Sequence, residues 1–357
     1  MNQGHFLIRY NLERTAISRG WATTRLAYYE LPSYVPLMRR SYELWRELER
    51  ESGERLPHLT GSVDAGPEAS EVFGGSLRSC LEHGLPHEVL DHRELARRFP
   101  GYRLPESHLA LLQAEGGFFL SERCIISQVA LAQRRGAGVR ARERVLSWRS
   151  SPNHVEVETE RGRYEAGNLV LTAGPWAAAL EPELGASAQP ERQVLGWFQP
   201  RRSEFFSPER FPVFNLLVEE GRYYGFPIYG IPGLKIGHYH HLEEEADPDI
   251  LSGAVSERDE AVLRACVAQY FPEANGPVMT LKTCMFTNSP DEHFIIGPHP
   301  EAPNVVLAAG FSGNGFKFCS VVGEMLSDLA LGGRTAYRLE CSPLHGTQPP
   351  HSRACLR

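Results

Sequence analysis

The chain predicts a two-lobed α/β fold, in which a doubly wound lobe is interrupted by an antiparallel-sheet lobe. Three stretches carry that expectation. Asn168 to Leu171 and Asn304 to Ala309 are short apolar runs of the kind buried on both faces of a parallel sheet, and each meets a glycine break before a helical segment. Between them, Phe211 to His241 is rich in aromatic and β-forming residues and reads as antiparallel strands. With 357 residues the chain can bury a large core and divide it between two lobes.

The elements follow in order. Met1 to Thr24 contains only Gly4 and Gly20, with no hydrophobic strand leading into either. Ser33 to Glu51 places Leu37, Ser41, Leu44, Trp45 and Leu48 on one face, with Pro36 early and Gly53 beyond the end, as a capped amphipathic helix does. His154 to Thr159 alternates, turns through Arg161-Gly162 and returns in Tyr164-Glu165-Ala166 as a hairpin. Asn168 to Trp176 reads as a strand, a glycine break at Gly174 and a short helix. Glu243 to Ile250 is an acidic loop, and Val255 to Tyr270 is helical. After Ala309 the chain turns through Gly310-Phe311-Ser312-Gly313-Asn314-Gly315-Phe316-Lys317 into an amphipathic helix from about Phe318 to Leu331. The interleaving assigns 1–55, 115–185 and 290–340 to the doubly wound lobe, 56–114 and 186–289 to the antiparallel lobe, and 341–357 to a loose tail.

Composition excludes several classes. A formal net charge of −7 and the lack of a basic stripe argue against nucleic acid or an anionic membrane as partner. No apolar run reaches the roughly 18 residues of a membrane span. The start has no signal-peptide pattern and the ending is not a peroxisomal signal, so a cytoplasmic protein is expected. Seven cysteines, odd in number and scattered, suggest neither a disulfide framework nor a metal site.

The glycine-rich turn lets backbone N–H groups approach a ligand closely, and the helix that follows adds partial positive charge where an anion can sit. Upstream stand Lys282-Thr283-Cys284-Met285-Phe286-Thr287 and Pro290-Asp291-Glu292-His293-Phe294-Ile295-Ile296-Gly297. With the turn, these strings resemble those of the monomeric sarcosine oxidase, N-methyltryptophan oxidase and pipecolate oxidase group, amine oxidases of the D-amino-acid oxidase superfamily. The resemblance runs from about Arg25 to about Leu339. It implies a doubly wound FAD-binding lobe, a substrate lobe, and FAD held covalently on Cys284, with Lys282 and His293 as nearby positive charge. It places Val145, Gly174, Gly310, Gly313, Asn314, Gly315, Phe316 and Lys317 about the cofactor.

By the same resemblance Lys235 faces the flavin ring and activates oxygen, since a fixed cation in a dry site stabilises superoxide. Lys235 also stands in an apolar strand-like run, where lysine is seldom buried without a partner. Arg25 and Lys317 match residues that bind the substrate carboxylate, a task that suits a guanidinium fork. Tyr224 matches a cavity-lining tyrosine. Where the family often has a histidine this chain has Tyr239, flanked by His238, His240 and His241; His240 is taken as the catalytic imidazole, although the pattern leaves open which of the three faces substrate. Phe286 stands where a tyrosine is common.

The implied reaction oxidises a small carboxylate-bearing secondary or cyclic amine by hydride transfer to flavin N5, with O₂ reoxidising the flavin to give hydrogen peroxide. A monomer is expected. Two alternatives stand beside it: a flavin dehydrogenase passing electrons to a quinone, which Lys235 speaks against, and a non-catalytic remnant. The second rests on the absence of the strand, Gly-x-Gly-x-x-Gly and helix that should open a dinucleotide-binding lobe, which reads as an N-terminal truncation of roughly 30 residues.

Overall fold

The computed structural model describes residues 5–8, 21–251 and 253–337. Its largest sheet has eight strands in the spatial order Val278–Asn288, Gln189–Phe198, Leu234–His238, Gly221–Phe226, Val213–Val218, Ser62–Pro67, His108–Gln113 and Glu88–Asp91. All neighbours are antiparallel except Val213–Val218 beside Ser62–Pro67, where two distant parts of the chain meet in parallel.

The register aligns one row across this sheet: Lys282, Leu195, Gly237, Tyr224, Asn215, Asp64 and Leu111 are successive partners. Side chains alternate along a strand, so Lys235, two residues from Gly237, shares the face of that row. The residues between point the other way. Val63, Ala65, Val194, Phe214, Leu216, Tyr223, Leu234 and Ile236 form one apolar cluster with Leu263, Cys266, Val267 and Tyr270 of the helix Glu257–Tyr270. That helix begins with a capping box in which Ser256 and Asp259 serve each other's backbone. One face is therefore core, and the polar and charged residues are collected on the other.

A second body is built on a three-stranded sheet in which Leu169–Leu171 runs parallel to Val305–Ala309, which pairs antiparallel with Ile295–Pro298. The helices Tyr34–Ser52 and Cys319–Gly332 cover it, burying Leu37, Met38, Val321, Met325 and Leu326 against Phe294, Ile296, Val306 and Ala308. The first helix ends at Gly53, whose φ of +74° and N–H bond to Glu49 O close its last turn. Val155–Thr159 and Gly162–Ala166 form the expected hairpin, extended by Val145–Ser150.

One expectation needs correction. Between Gly4 and Gly20, where no strand was read, His5–Ile8 pairs in parallel with Gly138–Ala141. Residues 9–20 and the expected loose tail 341–357, with Cys341 and Cys355, lie outside the described residues. No helix among the described residues is long and apolar enough to cross a membrane.

Candidate active site

Strand alternation puts three large groups around one cation. Lys235 is 1% exposed; its register partners Trp197 and Phe226 flank it on the same face. Its Nζ lies 4.6 Å from the Phe226 ring centre, 4.9 Å from Trp21 and 5.3 Å from Trp197, and donates to Trp21 O at 3.4 Å. Aromatic faces attract a cation but replace little of its hydration, so burial pushes the ammonium down to about 7. Cys284, fully buried with Leu195 and Trp197, is the first of the groups that pull it back. Of the charges expected near this thiol, Lys282 stands two residues away on the same strand with its side chain exposed, and His293 Nδ1 meets Tyr34 Oη at 3.3 Å. Lys235 is the buried cation whose field reaches Cys284.

The glycine turn packs onto the same strand. Gly310 and Gly313 have φ of +62° and +78°, and a Cβ at 313 would stand 2.7 Å from the Phe286 ring, so both backbone shape and space demand glycine there. Ser312 N donates to Thr287 O at 2.9 Å. Two residues on, Asn314 is buried, and its side-chain oxygen accepts from Lys317 Nζ at 2.8 Å. The helix Tyr34–Ser52 fixes Lys317 from behind, with Ser41 Oγ and Trp45 Nε1 donating to its carbonyl at 2.5 and 3.1 Å. Burial, then the field of Arg25, pushes the Lys317 ammonium down to about 7.

Arg25 follows the strand Trp21–Thr24 in a segment held by its neighbours. Gln113 Oε1 accepts from Leu26 N and Ala27 N at 2.8 and 2.9 Å, and Ser79 Oγ donates to Tyr28 O at 2.5 Å. A Cβ on Gly75 would overlap the Tyr29 carbonyl, so the helix Glu71–His83 needs glycine to come this close. The guanidinium is 1% exposed and sits 4.4 Å over the Tyr29 ring; Nη2 donates to Glu30 Oε2 at 3.3 Å, and Nε lies 3.4 Å from Asp64 Oδ2. Nη1 is buried without a hydrogen-bond partner. Asp64, Glu30 and Tyr29 were not expected from the sequence. Asp64 had a signal: a lone carboxylate between Val63 and Ala65 of a buried strand has to be paired.

The structure thus gathers Arg25, Tyr224, Lys235, Cys284, Gly310, Gly313, Asn314 and Lys317 around one face of the large sheet and the turn packed on it. Tyr224 lies over Gly237, where a Cβ would meet its ring, and 5.1 Å from the Tyr239 ring. Gly315 opens the short helical turn Phe316–Phe318, and the Phe316 ring packs instead with Trp45 and Phe119. Val145 packs with Val155, Val157 and Leu171 in the other body, and Gly174, at φ +55°, starts the turn Gly174–Trp176.

None of the three histidines joins the cluster. His240 sits in a turn at φ +51° with Nδ1 2.8 Å from Glu191 Oε2 and Nε2 3.0 Å from Glu292 Oε1, so both nitrogens meet carboxylates. His241 Nε2 meets Asp259 at 3.0 Å, and His238 packs on Tyr223 at 4.6 Å on the apolar face. Tyr239 stands nearest the cluster, with the Arg222 guanidinium 4.0 Å above its ring. Glu181, Glu183 and His299 have metal-ligand chemistry, yet His299 Nδ1 accepts from the Glu301 and Ala302 amides at 3.1 and 3.2 Å and Nε2 faces Glu181 at 3.1 Å, which commits that ring too.

The His240 contacts yield a pH prediction. Glu191, then Glu292, raise this imidazole to about 9, above its ordinary 6.5. A raised group contributes stability that is complete below 6.5 and lost as pH rises through about 9. His240→Gln should lower Tm near pH 6 by about 2–4 °C, a figure already reduced for solvent screening of a partly exposed pair, and the gap should close near pH ~10. A gap independent of pH would remove the imidazolium from the account.

A large antiparallel sheet joined to a parallel-stranded body, with a buried cation, a buried thiol and a glycine turn at their junction, is an arrangement suited to a flavin-dependent oxidoreductase, the class to which comparison with known proteins assigns the chain. Residues 12–329 match the model of the FAD dependent oxidoreductase family, DAO, and the chain belongs to that family. It is 42% identical over 318 residues to a monomeric sarcosine oxidase from Bacillus sp. (strain B-0618), covering 88% of this chain and 81% of the relative. It is 34% identical over 322 residues to N-methyl-L-tryptophan oxidase of Salmonella enteritidis PT4, covering 88% and 84%. Among solved structures, NikD, an unusual amino acid oxidase essential for nikkomycin biosynthesis, superposes with a TM-score of 0.80 at 25% identity over 94% of this chain and 89% of that one. Glycine oxidase from Geobacillus kaustophilus has the same fold, with a TM-score of 0.74 at 20% identity over 97% and 93%.

Proposed function

We propose that this protein oxidises the CH–NH bond of a small secondary amino acid of the N-methyl or cyclic type, with FAD linked to Cys284 and O₂ as final acceptor. One observation carries the reading: a single sheet face and the turn against it hold two separate buried cation sites, Arg25 with Lys317 and Lys235 with Cys284. The residues fit the cofactor. The glycine turn, with Gly310 and Gly313 at positive φ, packs on the strand that carries Cys284, and that thiol is buried within the field of the Lys235 cation. When bound, FAD supplies the two-electron acceptor for the C–H bond beside the amine nitrogen.

The protein's own groups do the rest. Arg25 Nη1 and Lys317 Nζ hold the substrate carboxylate, a role consistent with a buried donor that has no protein partner. Tyr224, Tyr239 and Phe286 are aromatic neighbours, with ring centres 5.1 and 5.9 Å apart, and keep water from the reacting carbon. Phe286 carries no hydroxyl and so favours a larger, more apolar side group. Lys235 stabilises the negative charge that develops on oxygen.

Acid precipitation of the purified protein tests the covalent link. Flavin should stay with the denatured polypeptide and be released in Cys284→Ser. Release from the unsubstituted protein would remove Cys284 from this role while leaving dissociable FAD possible.

A further inference from the structure

The carboxylate of Asp64 does more than face Arg25. It is 1% exposed, and its oxygens accept from Ser76 Oγ at 2.7 Å and from Asn215 Nδ2 at 2.7 Å. Burial pushes this carboxyl up from its ordinary value, while Arg25, then Ser76 and Asn215, pull it back toward the charged, accepting form. The Asn215 amide turns its NH₂ to Asp64, and its carbonyl oxygen faces away. Asn215 is itself 1% exposed, and this oxygen has no hydrogen-bond partner. Buried acceptors are ordinarily satisfied, so an acceptor fixed in this state is suited to a donor that arrives with a ligand.

Its position says which part of the ligand. Asn215 lies in the row between Tyr224 and Asp64, on the face that carries Lys235 and Cys284. It is two strands from Lys235, roughly 10 Å at the usual strand spacing. The reacting carbon and its nitrogen belong beside Lys235 and Cys284 and the carboxylate beside Arg25, which leaves the substituent on the α-carbon to reach Asn215.

We infer that Asn215 Oδ1 is a specificity determinant that accepts a hydrogen bond from an N–H or O–H group on the substrate's side chain, with Asp64 as the positioning residue that sets the amide. The preferred substrates are then secondary amino acids whose side group is mostly apolar, as Phe286 favours, but carries one polar donor where it reaches Asn215. This rests on the amine-oxidase reading above.

The test compares kcat/KM for near-isosteric pairs that differ only in that donor, such as N-methylthreonine against N-methylvaline, on the FAD-loaded protein. The parent should favour the donor-bearing member by about tenfold or more. Asn215→Leu should bring the ratio to within about threefold while retaining activity on the donor-free member. Where that variant is poorly folded, Asp64→Asn tests the same point, because the 215 amide is then free to turn and any effect through Arg25 cancels in the ratio. A parent ratio near one, or a loss in the variants shared equally by both members, overturns the proposal. Failure of the parent to oxidise either member would instead overturn the amine-oxidase reading itself.

Discussion

Lys235→Met should slow the reaction with oxygen by about 10²–10⁴ and leave the reaction with the amine within a few-fold of the parent. The ammonium is buried among Trp21, Trp197 and Phe226, and no other buried cation lies in that aromatic pocket among the described residues. Removing a preorganised charge-stabilising group from a dry site costs about 3–5 kcal/mol in a transition state that develops charge. Methionine fills the same volume without the charge, so packing of the pocket is retained. Stopped-flow mixing of reduced protein with air-saturated buffer reads the effect. Because burial brings this ammonium down to about 7, the oxygen reaction should also fall as pH rises through that value, the direction of losing the cation. An oxygen rate within threefold of the parent would take Lys235 out of the mechanism.

Replacing the substrate's carboxylate by its methyl ester should cost about 10²–10³ in kcat/KM. Arg25 and Lys317 are both almost fully buried, and Lys317 is depressed partly by Arg25, so the two cations share one region. Each charge-assisted hydrogen bond lost to a buried site is worth about 1.5–3 kcal/mol, and an ester returns neither charge. Arg25→Met should then turn over acid and ester with similar kcat/KM. Equal turnover of acid and ester by the parent would refute the assignment of both residues. Asp64 and Glu30 hold the guanidinium in place, so Asp64→Ala should raise KM through a mobile Arg25 even though it removes a negative charge.

What could be read from the sequence was local. The helix at 34–52, the hairpin at 155–166 and the turn at 310–317 are each set by contiguous residues whose apolar spacing or glycines dictate the shape. Cys284 and Lys235 stood out for a similar reason, as a thiol in a distinctive string and a cation in an apolar strand. Asn215 did not, and the lone carboxylate of Asp64 called for a partner without naming it, because the two meet only where the strand Ser62–Pro67 lies parallel to Val213–Val218, about 150 residues apart in sequence. The surroundings of His240 were not legible, for a geometric reason. Alternation ends with the strand at His238, and the positive φ at 240 turns that ring toward Glu191 and Glu292. The strand His5–Ile8 escaped because four residues carry little periodic signal and its partner begins at Gly138.

The central claim is that the buried face carrying Arg25, Lys235, Cys284 and Lys317 is an amine-oxidising flavin site. Its most direct test is the visible absorption of the purified, FAD-loaded protein mixed without oxygen with sarcosine, N-methylthreonine or pipecolate. The account predicts that the flavin bands bleach with at least one of these, that air restores them with release of hydrogen peroxide, and that Arg25→Met weakens the bleaching. Bands that stay unchanged with every secondary amino acid, in a protein shown to hold its flavin, would contradict it.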